Sequence, residues 1–71
     1  MSDLKINFGL KLKTLRNKAG ITQEKMADVI DVTIETISNI ERGIHGPRFD
    51  TLEKIASTLK VPVKDLFDFE D

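Results

Sequence analysis

The feature that most constrains the fold is the stretch at residues 22–43, where apolar residues recur at helical spacing on both sides of a short polar break. In each half they repeat every three or four positions, which is the spacing of an amphipathic helix. These positions are Met26, Ala27, Val29 and Ile30 before the break, Val32 within it, and Ile37 and Ile40 after it. The spacing predicts two short helices, over about 22–30 and 33–42, joined by a tight turn.

The ends of both predicted helices carry residues that are typical of helix termini. Thr22 and Thr33 stand at N-cap positions, where a hydroxyl can accept a hydrogen bond from a backbone N–H of the first turn. Arg42 and Gly43 close the second helix, because a cation suits the last carbonyls and glycine adopts the conformation that ends a helix. Together these features predict a helix-turn-helix.

The stretch resembles the helix-turn-helix of the phage-repressor and Cro proteins, the XRE family, and the resemblance extends over roughly residues 6–68. Within the motif the matching residues are Thr22, Gln23, Met26, Ala27, Ile30, Val32, Ile37, Ile40, Glu41, Arg42 and Gly43. Outside it they are Leu15, Arg16, Gly20, Ile21, Pro47, Leu52, Ile55, Ala56, Leu59 and Val61. The full set at this spacing is far more specific than two helices alone. It implies a lambda-repressor-like DNA-binding domain and a sequence-specific transcriptional regulator of double-stranded DNA.

Two positions depart from the family pattern. The family usually carries glycine where this chain has Asp31, in the turn, and Lys60, at the end of the fourth helix. Both positions usually need a positive φ, which aspartate tolerates better than most residues and lysine adopts at a cost of about 1 kcal/mol. We expect the fold to accommodate both.

Three further helical patterns cover about 4–18, 49–59 and 62–68. In the first, the apolar stripe consists of Leu4, Phe8, Leu12, Leu15 and Ala19. The last begins at Pro62, which suits the first turn of a helix. No segment has the alternation of a strand. The expected fold is therefore all-α, a compact five-helix bundle that contains the helix-turn-helix, with residues 1–71 as a single domain.

Composition bounds the functions that such a chain can have. It contains no cysteine and a single histidine, His45, so a disulfide or a cysteine- or histidine-based metal site is not expected. The start of the chain lacks the apolar run of a signal peptide, and no run reaches transmembrane length. We expect no metal, no cofactor, no membrane association and a cytoplasmic location.

The net charge of −1 is unusual for a protein that holds DNA. The charges are unevenly distributed, however, with a net of +2 over residues 1–48 and −3 over residues 49–71. The half that carries the helix-turn-helix is therefore mildly basic and the other half is acidic. Non-specific DNA affinity should be weak at physiological salt, so binding would depend on direct contacts and on dimerisation.

An enzyme is not expected. The acidic residues near the C-terminus are interpreted as a solvated chain end, because runs of charge at chain ends are normally exposed to solvent. The sequence contains no serine, histidine and aspartate set at a plausible spacing and no glycine-rich phosphate loop. A bundle of this size rarely encloses a substrate pocket.

Helix geometry nominates the residues that touch DNA. With Ile37 at the centre of the buried face and about 100° per residue, the polar residues of the second helix point away from the core. Its N-terminal end normally leads into the major groove. The predicted base readers are Thr33, Ile34, Glu35, Ser38 and Asn39. The predicted phosphate contacts are Gln23, Lys25, Thr36, Arg42 and Arg48, and the family resemblance supports Gln23 and Arg48 in particular.

Two structural predictions accompany this site. Glu41 falls inside the buried sector of the second helix and needs a partner there, for which Arg16 is nominated; the resemblance implies an internal ion pair between them. We also expect a homodimer on a near-palindromic operator, with readers one helical turn apart. The predicted dimer contacts supply more apolar surface than a bundle of this size can readily bury: Ile6, Leu10, Leu66, Phe67 and Phe69. The same residues could instead close the core of the monomer.

An alternative function is a protein-interaction module with weak or no DNA binding. The resemblance includes antitoxins and regulators that act with protein partners. The acidic overall charge and Glu35 in the reading helix favour this alternative. Under this alternative the partner could be a protein antagonist.

Overall fold

Residues 3–70 are described by a computed structural model. They form four α-helices: α1 is Asp3–Lys18, α2 is Gln23–Ile30, α3 is Ile34–Glu41 and α4 is Phe49–Leu59. A short 3-10 helix follows at Val63–Phe67. The all-α prediction is confirmed over these residues, which include no strand. The outermost positions of the predicted 1–71 domain, residues 1, 2 and 71, lie outside the described part of the chain.

The predicted fifth α-helix at 62–68 is wrong, because the segment is the 3-10 helix Val63–Phe67. Its backbone bonds close over three residues, as when the N–H of Asp65 donates to the carbonyl of Pro62 at 3.0 Å. A five-residue segment is too short to build an α-helical ladder, whereas a 3-10 turn suits short pieces. The architecture is therefore four α-helices and one 3-10 turn.

The helix-turn-helix forms as its end signals predicted. The hydroxyl of Thr22 accepts a hydrogen bond from the backbone N–H of Lys25 at 3.0 Å, at the start of α2. The hydroxyl of Thr33 accepts one from the N–H of Thr36 at 3.1 Å, at the start of α3. Each cap satisfies a donor that the helix itself leaves unpaired.

All four α-helices are followed by one residue in the left-handed conformation. At Gly20 and Gly43 the φ angles are 71° and 76°, and at Asp31 and Lys60 they are 61° and 59°. In each case the backbone N–H of the residue after the left-handed one donates to a carbonyl near the end of the helix, as Val61 does to Ala56 at 3.1 Å. The positive φ expected at Asp31 and Lys60 is confirmed, so the chain tolerates two strained C-termini without glycine.

The core lies where the inner faces of the helices meet. Its buried members are Phe8, Leu12, Met26, Ala27, Ile30, Ile37, Ile40, Leu52, Ile55, Ala56 and Leu66. Three predicted core positions are wrong. Val29 is 50% exposed because it lies about 100° from the centre of the face that the buried residues of α2 share. Leu4 and Ala19 are exposed because they lie outside Phe8–Arg16, the buried part of α1.

Helices α1 and α3 are in close backbone contact at Gly9. A Cβ placed on Gly9 would lie 2.7 Å from the carbonyl oxygen of Glu41 and closer still to that of Ile40. Real Cβ atoms do not approach backbone oxygens so closely, so glycine at this position lets the two helices touch. The contact sets the position of α3 on the rest of the bundle.

We predict that Lys60→Gly raises the free energy of unfolding by about 0.5–1 kcal/mol, because relief of the left-handed strain exceeds the entropy that glycine loses on folding. Urea unfolding measures the change. Asp31→Gly is the matched control, and its gain should be smaller because aspartate tolerates this conformation better. A Lys60→Gly variant less stable than the wild type would show that the backbone at Lys60 carries no such strain.

Candidate functional site

The outer face of α3 presents the predicted base readers to solvent. Thr33, Ile34 and Glu35 are exposed, and Ser38 and Asn39 are half-buried one turn further along the helix. The opposite face is anchored, because Ile37 and Ile40 are buried in the core. A short helix with one face held this firmly can present the other face to a groove with little freedom to rotate.

Thr36 has a different environment from its neighbours. It is half-buried, and its hydroxyl lies 2.9 Å from the hydroxyl of Thr33. Its backbone N–H also donates to the same Thr33 oxygen. Thr36 is thus the third residue of α3, and it contacts the N-cap residue Thr33 through both its backbone N–H and its hydroxyl.

The predicted cationic contacts surround α3. Lys25 lies in the first turn of α2, Arg42 follows the last residue of α3, and Arg48 precedes α4; all three are exposed. The Nε of Arg48 lies 3.6 Å from a carboxylate oxygen of Asp50. An exposed pair at this distance contributes about 0–1 kcal/mol, so the Arg48 side chain can leave it for a phosphate.

Gln23 is held by a buried network at the start of α2. Its Nε2 donates to Oε1 of Glu41 at 3.0 Å. The same Oε1 accepts from Nη2 of Arg16 at 3.0 Å, and Oε2 accepts from Nε of Arg16 at 2.6 Å. Arg16 also donates through Nη1 to the carbonyl of Ile21 at 2.7 Å. One arginine and one carboxylate therefore join α1, α3 and the entry to α2.

Arg16 and Glu41 form the ion pair that the helical wheel nominated, and both residues are buried. The hydrogen bond to Glu41 raises the pKa of Arg16 above its ordinary value, against the opposing effect of burial. The guanidinium is therefore charged at any accessible pH. Within residues 3–70, every buried side-chain nitrogen and oxygen has a hydrogen-bond partner.

The predicted dimer contacts differ in how far they are exposed. Leu66 is wrong as an interface residue, because it is completely buried in the chain's own core and presents nothing to a partner. Ile6 is half-buried and packs against the backbone of Gly43. Leu10 is 56% exposed, and Phe67 and Phe69 are exposed at the C-terminal end.

Three aromatic rings connect the exposed part of this group to the core. The ring of Phe67 lies 5.2 Å from that of the buried Phe8, centroid to centroid. The ring of Phe69 packs edge-on against Phe67 at 6.3 Å. The last described segment is thereby fastened to α1 while part of its apolar surface stays open to solvent.

The structure reveals features of the site that the sequence did not indicate. Phe49, the first residue of α4, is 87% exposed beside Arg48. Ile44, in the loop after α3, is also largely exposed. The hydrogen bond from Gln23 to Glu41 joins residues 18 positions apart, so no local pattern could have predicted it. In the sequence, only the position of Glu41 on the buried side of its helix indicated a polar network.

No group of three or more metal-ligating side chains lies together in residues 3–70. In the same part of the chain, no helix has both the length and the apolar character of a membrane span.

Comparison with known proteins identifies the class that the fold and the α3 surface define. The helix-turn-helix family profile matches residues 12–66, from the middle of α1 to the 3-10 helix. This chain belongs to the helix-turn-helix family of DNA-binding transcriptional regulators. The resemblance to the XRE class in the sequence is confirmed.

Individual relatives cover nearly the whole chain. Control protein C.BamHI of Bacillus amyloliquefaciens is 39% identical over 69 residues, which are 96% of this chain and 85% of that protein. Control protein C.MunI of a Mycoplasma species is 41% identical over 68 residues, which are 94% of this chain and 92% of that protein.

Solved structures share the fold. The restriction-modification controller protein C.AhdI from Aeromonas hydrophila has a TM-score of 0.83 at 27% identity, covering 87% of this chain and 94% of that one. The clp gene regulator ClgR from Corynebacterium glutamicum has a TM-score of 0.90 at 24% identity, covering 96% of this chain and 72% of that one, which shows a common fold.

We predict that Glu41→Leu lowers the free energy of unfolding by about 3–5 kcal/mol, because it leaves the Arg16 guanidinium buried without its counter-ion. The double variant Arg16→Met with Glu41→Leu is the matched control. It should recover much of the loss, because two apolar side chains replace the pair. Thermal unfolding followed by circular dichroism measures both. An unchanged midpoint for Glu41→Leu would mean that the ion pair contributes nothing to stability.

Proposed function

We propose that the chain regulates transcription by binding a specific duplex sequence with α3 in the major groove. The observation that carries this proposal is the exposed face of α3, which has a capped N-terminus, short polar side chains and flanking cations. An α-helix fits the major groove, and the N-terminal half of the second helix of such a motif contacts base edges.

The side chains on this face suit base recognition. Asn39 can pair bidentately with adenine, Glu35 can accept from the amino group of cytosine, and Ile34 can contact a thymine methyl. Thr33 and Ser38 can each donate to or accept from a base edge. This combination supports a sequence-specific reader more than a general binder of DNA, for which the net charge of −1 is unsuited.

The backbone of the duplex would be held from the N-terminus of α2 and from beyond the C-terminus of α3. Gln23 and Lys25 lie at the N-terminus of α2, where the helix dipole favours an anion. Arg42 and Arg48 lie beyond the C-terminus of α3. Thr36 adds a contact if its O–H donates to the phosphate, which is compatible with its 2.9 Å contact to Thr33 when the Thr33 hydroxyl is the donor of that bond. Contacts of this kind position a protein on DNA and carry no sequence information.

The functional unit is proposed to be a homodimer of single-domain chains, acting in the cytoplasm on a near-palindromic site. Two-fold symmetry would place two copies of α3 one helical turn apart. Leu10, Phe67 and Phe69 provide exposed apolar surface for the contact between copies.

We further infer that the chain is a control protein of the restriction-modification type. Two relatives named as control proteins align over 85% and 92% of their own lengths, and a restriction-modification controller protein shares the fold. The DNA sequence that the chain binds should then occur beside genes for a restriction endonuclease or a methyltransferase in the source genome. Its absence from such neighbourhoods would reject this assignment while leaving DNA binding intact.

Selection from a random duplex pool tests the main proposal. Repeated rounds of binding, recovery and sequencing at low salt should enrich a near-palindrome with two half-sites. A mobility shift with the enriched duplex then measures affinity against a scrambled duplex. No enrichment, together with no retention on heparin, would favour the alternative of a protein-interaction module.

We predict that Asn39→Ala and Arg48→Ala impair DNA binding in different ways. Loss of a bidentate base contact should cost about 1–3 kcal/mol and relax the preference at one base pair. Loss of a phosphate contact should weaken all sequences alike and flatten the salt dependence by about one unit of slope. The measurement is binding to the enriched site and to singly mismatched sites across a salt series. If Asn39→Ala weakens every site equally while Arg48→Ala changes the preference, the roles are reversed.

We predict that Phe69→Ser weakens self-association and that the matched Phe49→Ser does not. Phe69 lies in the proposed dimer surface, whereas Phe49 is the exposed aromatic residue at the start of α4. Analytical ultracentrifugation, with and without the enriched duplex, measures the dissociation constant of the dimer. A wild-type chain that stays monomeric in both conditions contradicts the dimer. A loss of dimer in Phe49→Ser alone would place the contact at α4 instead.

A further inference from the structure

Glu41 makes a hydrogen bond in addition to its ion pair with Arg16. Its Oε2 is occupied by Arg16, but its Oε1 is shared between Nη2 of Arg16 and Nε2 of Gln23, each at 3.0 Å. Gln23 is the first residue of α2 and is only half-buried. The buried carboxylate therefore reaches out to a side chain at the edge of the proposed DNA surface.

The chemistry of this contact fixes the direction of the Gln23 amide. An ionised carboxylate only accepts hydrogen bonds, whereas an amide has a donating end and an accepting end. The amino end of Gln23 must therefore face Glu41, and the carbonyl end must face away. An amide nitrogen carries two N–H bonds, so one bond to Glu41 leaves the second available to another acceptor.

A phosphate oxygen is also only an acceptor, so a side chain that holds it must present a donor. A glutamine in open solvent turns its carbonyl or its amino end outwards with similar ease. A glutamine whose nitrogen is fixed beside the α2 N-terminus keeps its donor where the helix dipole and the backbone N–H groups already favour an anion.

We propose that Glu41 is a positioning residue for DNA binding, which holds the Gln23 amide with its second N–H directed at a phosphate. The proposal rests on the proposed function, and it adds that the buried network acts on affinity as well as on stability. Arg16 completes the arrangement, because its two bonds to Glu41 fix the carboxylate and its bond to Ile21 fixes the chain just before α2.

A double-mutant cycle in the full chain tests the proposal. Glu41→Gln keeps the shape of the side chain but can donate as well as accept, so it no longer imposes a direction on Gln23. Gln23→Ala removes the amide. Each single variant should weaken binding to the enriched duplex by about tenfold, as expected for a lost hydrogen bond to a charged group. The double variant should be no weaker than the single variants, because both act through the same contact.

Lys25→Ala is the matched control, since Lys25 is exposed, lies in the same turn and makes no bond to Glu41. In the double variant of Lys25→Ala with Glu41→Gln, the fold-change in affinity should equal the product of the two single fold-changes. Circular dichroism at the assay temperature establishes that each variant is folded. If the effects of Gln23→Ala and Glu41→Gln multiply in the same way, Glu41 has a structural role only and the proposal is overturned.

A measurement on the wild type covers the case in which Glu41→Gln does not fold. The two side-chain N–H protons of Gln23 should differ widely in chemical shift in the free protein, because only one of them is bonded to the Glu41 carboxylate. Addition of the enriched duplex should shift one of them strongly and leave the other near its original position. Two protons with the shifts of a solvent-exposed glutamine, or two that shift together on adding the duplex, would overturn the proposal. A wild type that binds no duplex would instead defeat the proposed function.

Discussion

The buried pair of Arg16 and Glu41 is the interaction on which the rest of the structure depends. The pair links α1 to α3, whose backbones are also in contact at Gly9. The same arginine donates to the carbonyl of Ile21. Desolvation of two charges is costly, so such a pair stabilises a fold only when its remaining donors and acceptors are satisfied. Here the additional bonds to Ile21 and Gln23 meet that condition.

The pair matters because α2 and α3 have only eight residues each. Isolated helices of this length are not stable in water, so tertiary packing must supply their order. The core anchors one face of each helix, and the network fixes the entry to α2 against the end of α3. The relative orientation of the two helices, on which docking to a groove depends, is thus set from the inside of the bundle.

The family resemblance predicted the positive φ at Asp31 and Lys60. Local signals in the sequence predicted the helix-turn-helix, its threonine caps and the partnership of Arg16 with Glu41. These depend on neighbouring residues or on the helical period. Long-range packing decided the rest: Leu66 entered the core, the last segment became a 3-10 turn, and Gly9 became a contact between backbones. The base and phosphate contacts remain predictions, because the periodicity gives only the face on which those residues lie.

The central claim is that the outer face of α3, held by this network, reads duplex DNA. Backbone amide shifts of the ¹⁵N-labelled chain, recorded with and without the enriched duplex, test it most directly. The account predicts the largest changes in residues 33–39, at Gln23 and around Arg48, with the core residue Ile55 unmoved. Changes confined to α1 and residues 63–69, with α3 unaffected, would contradict it.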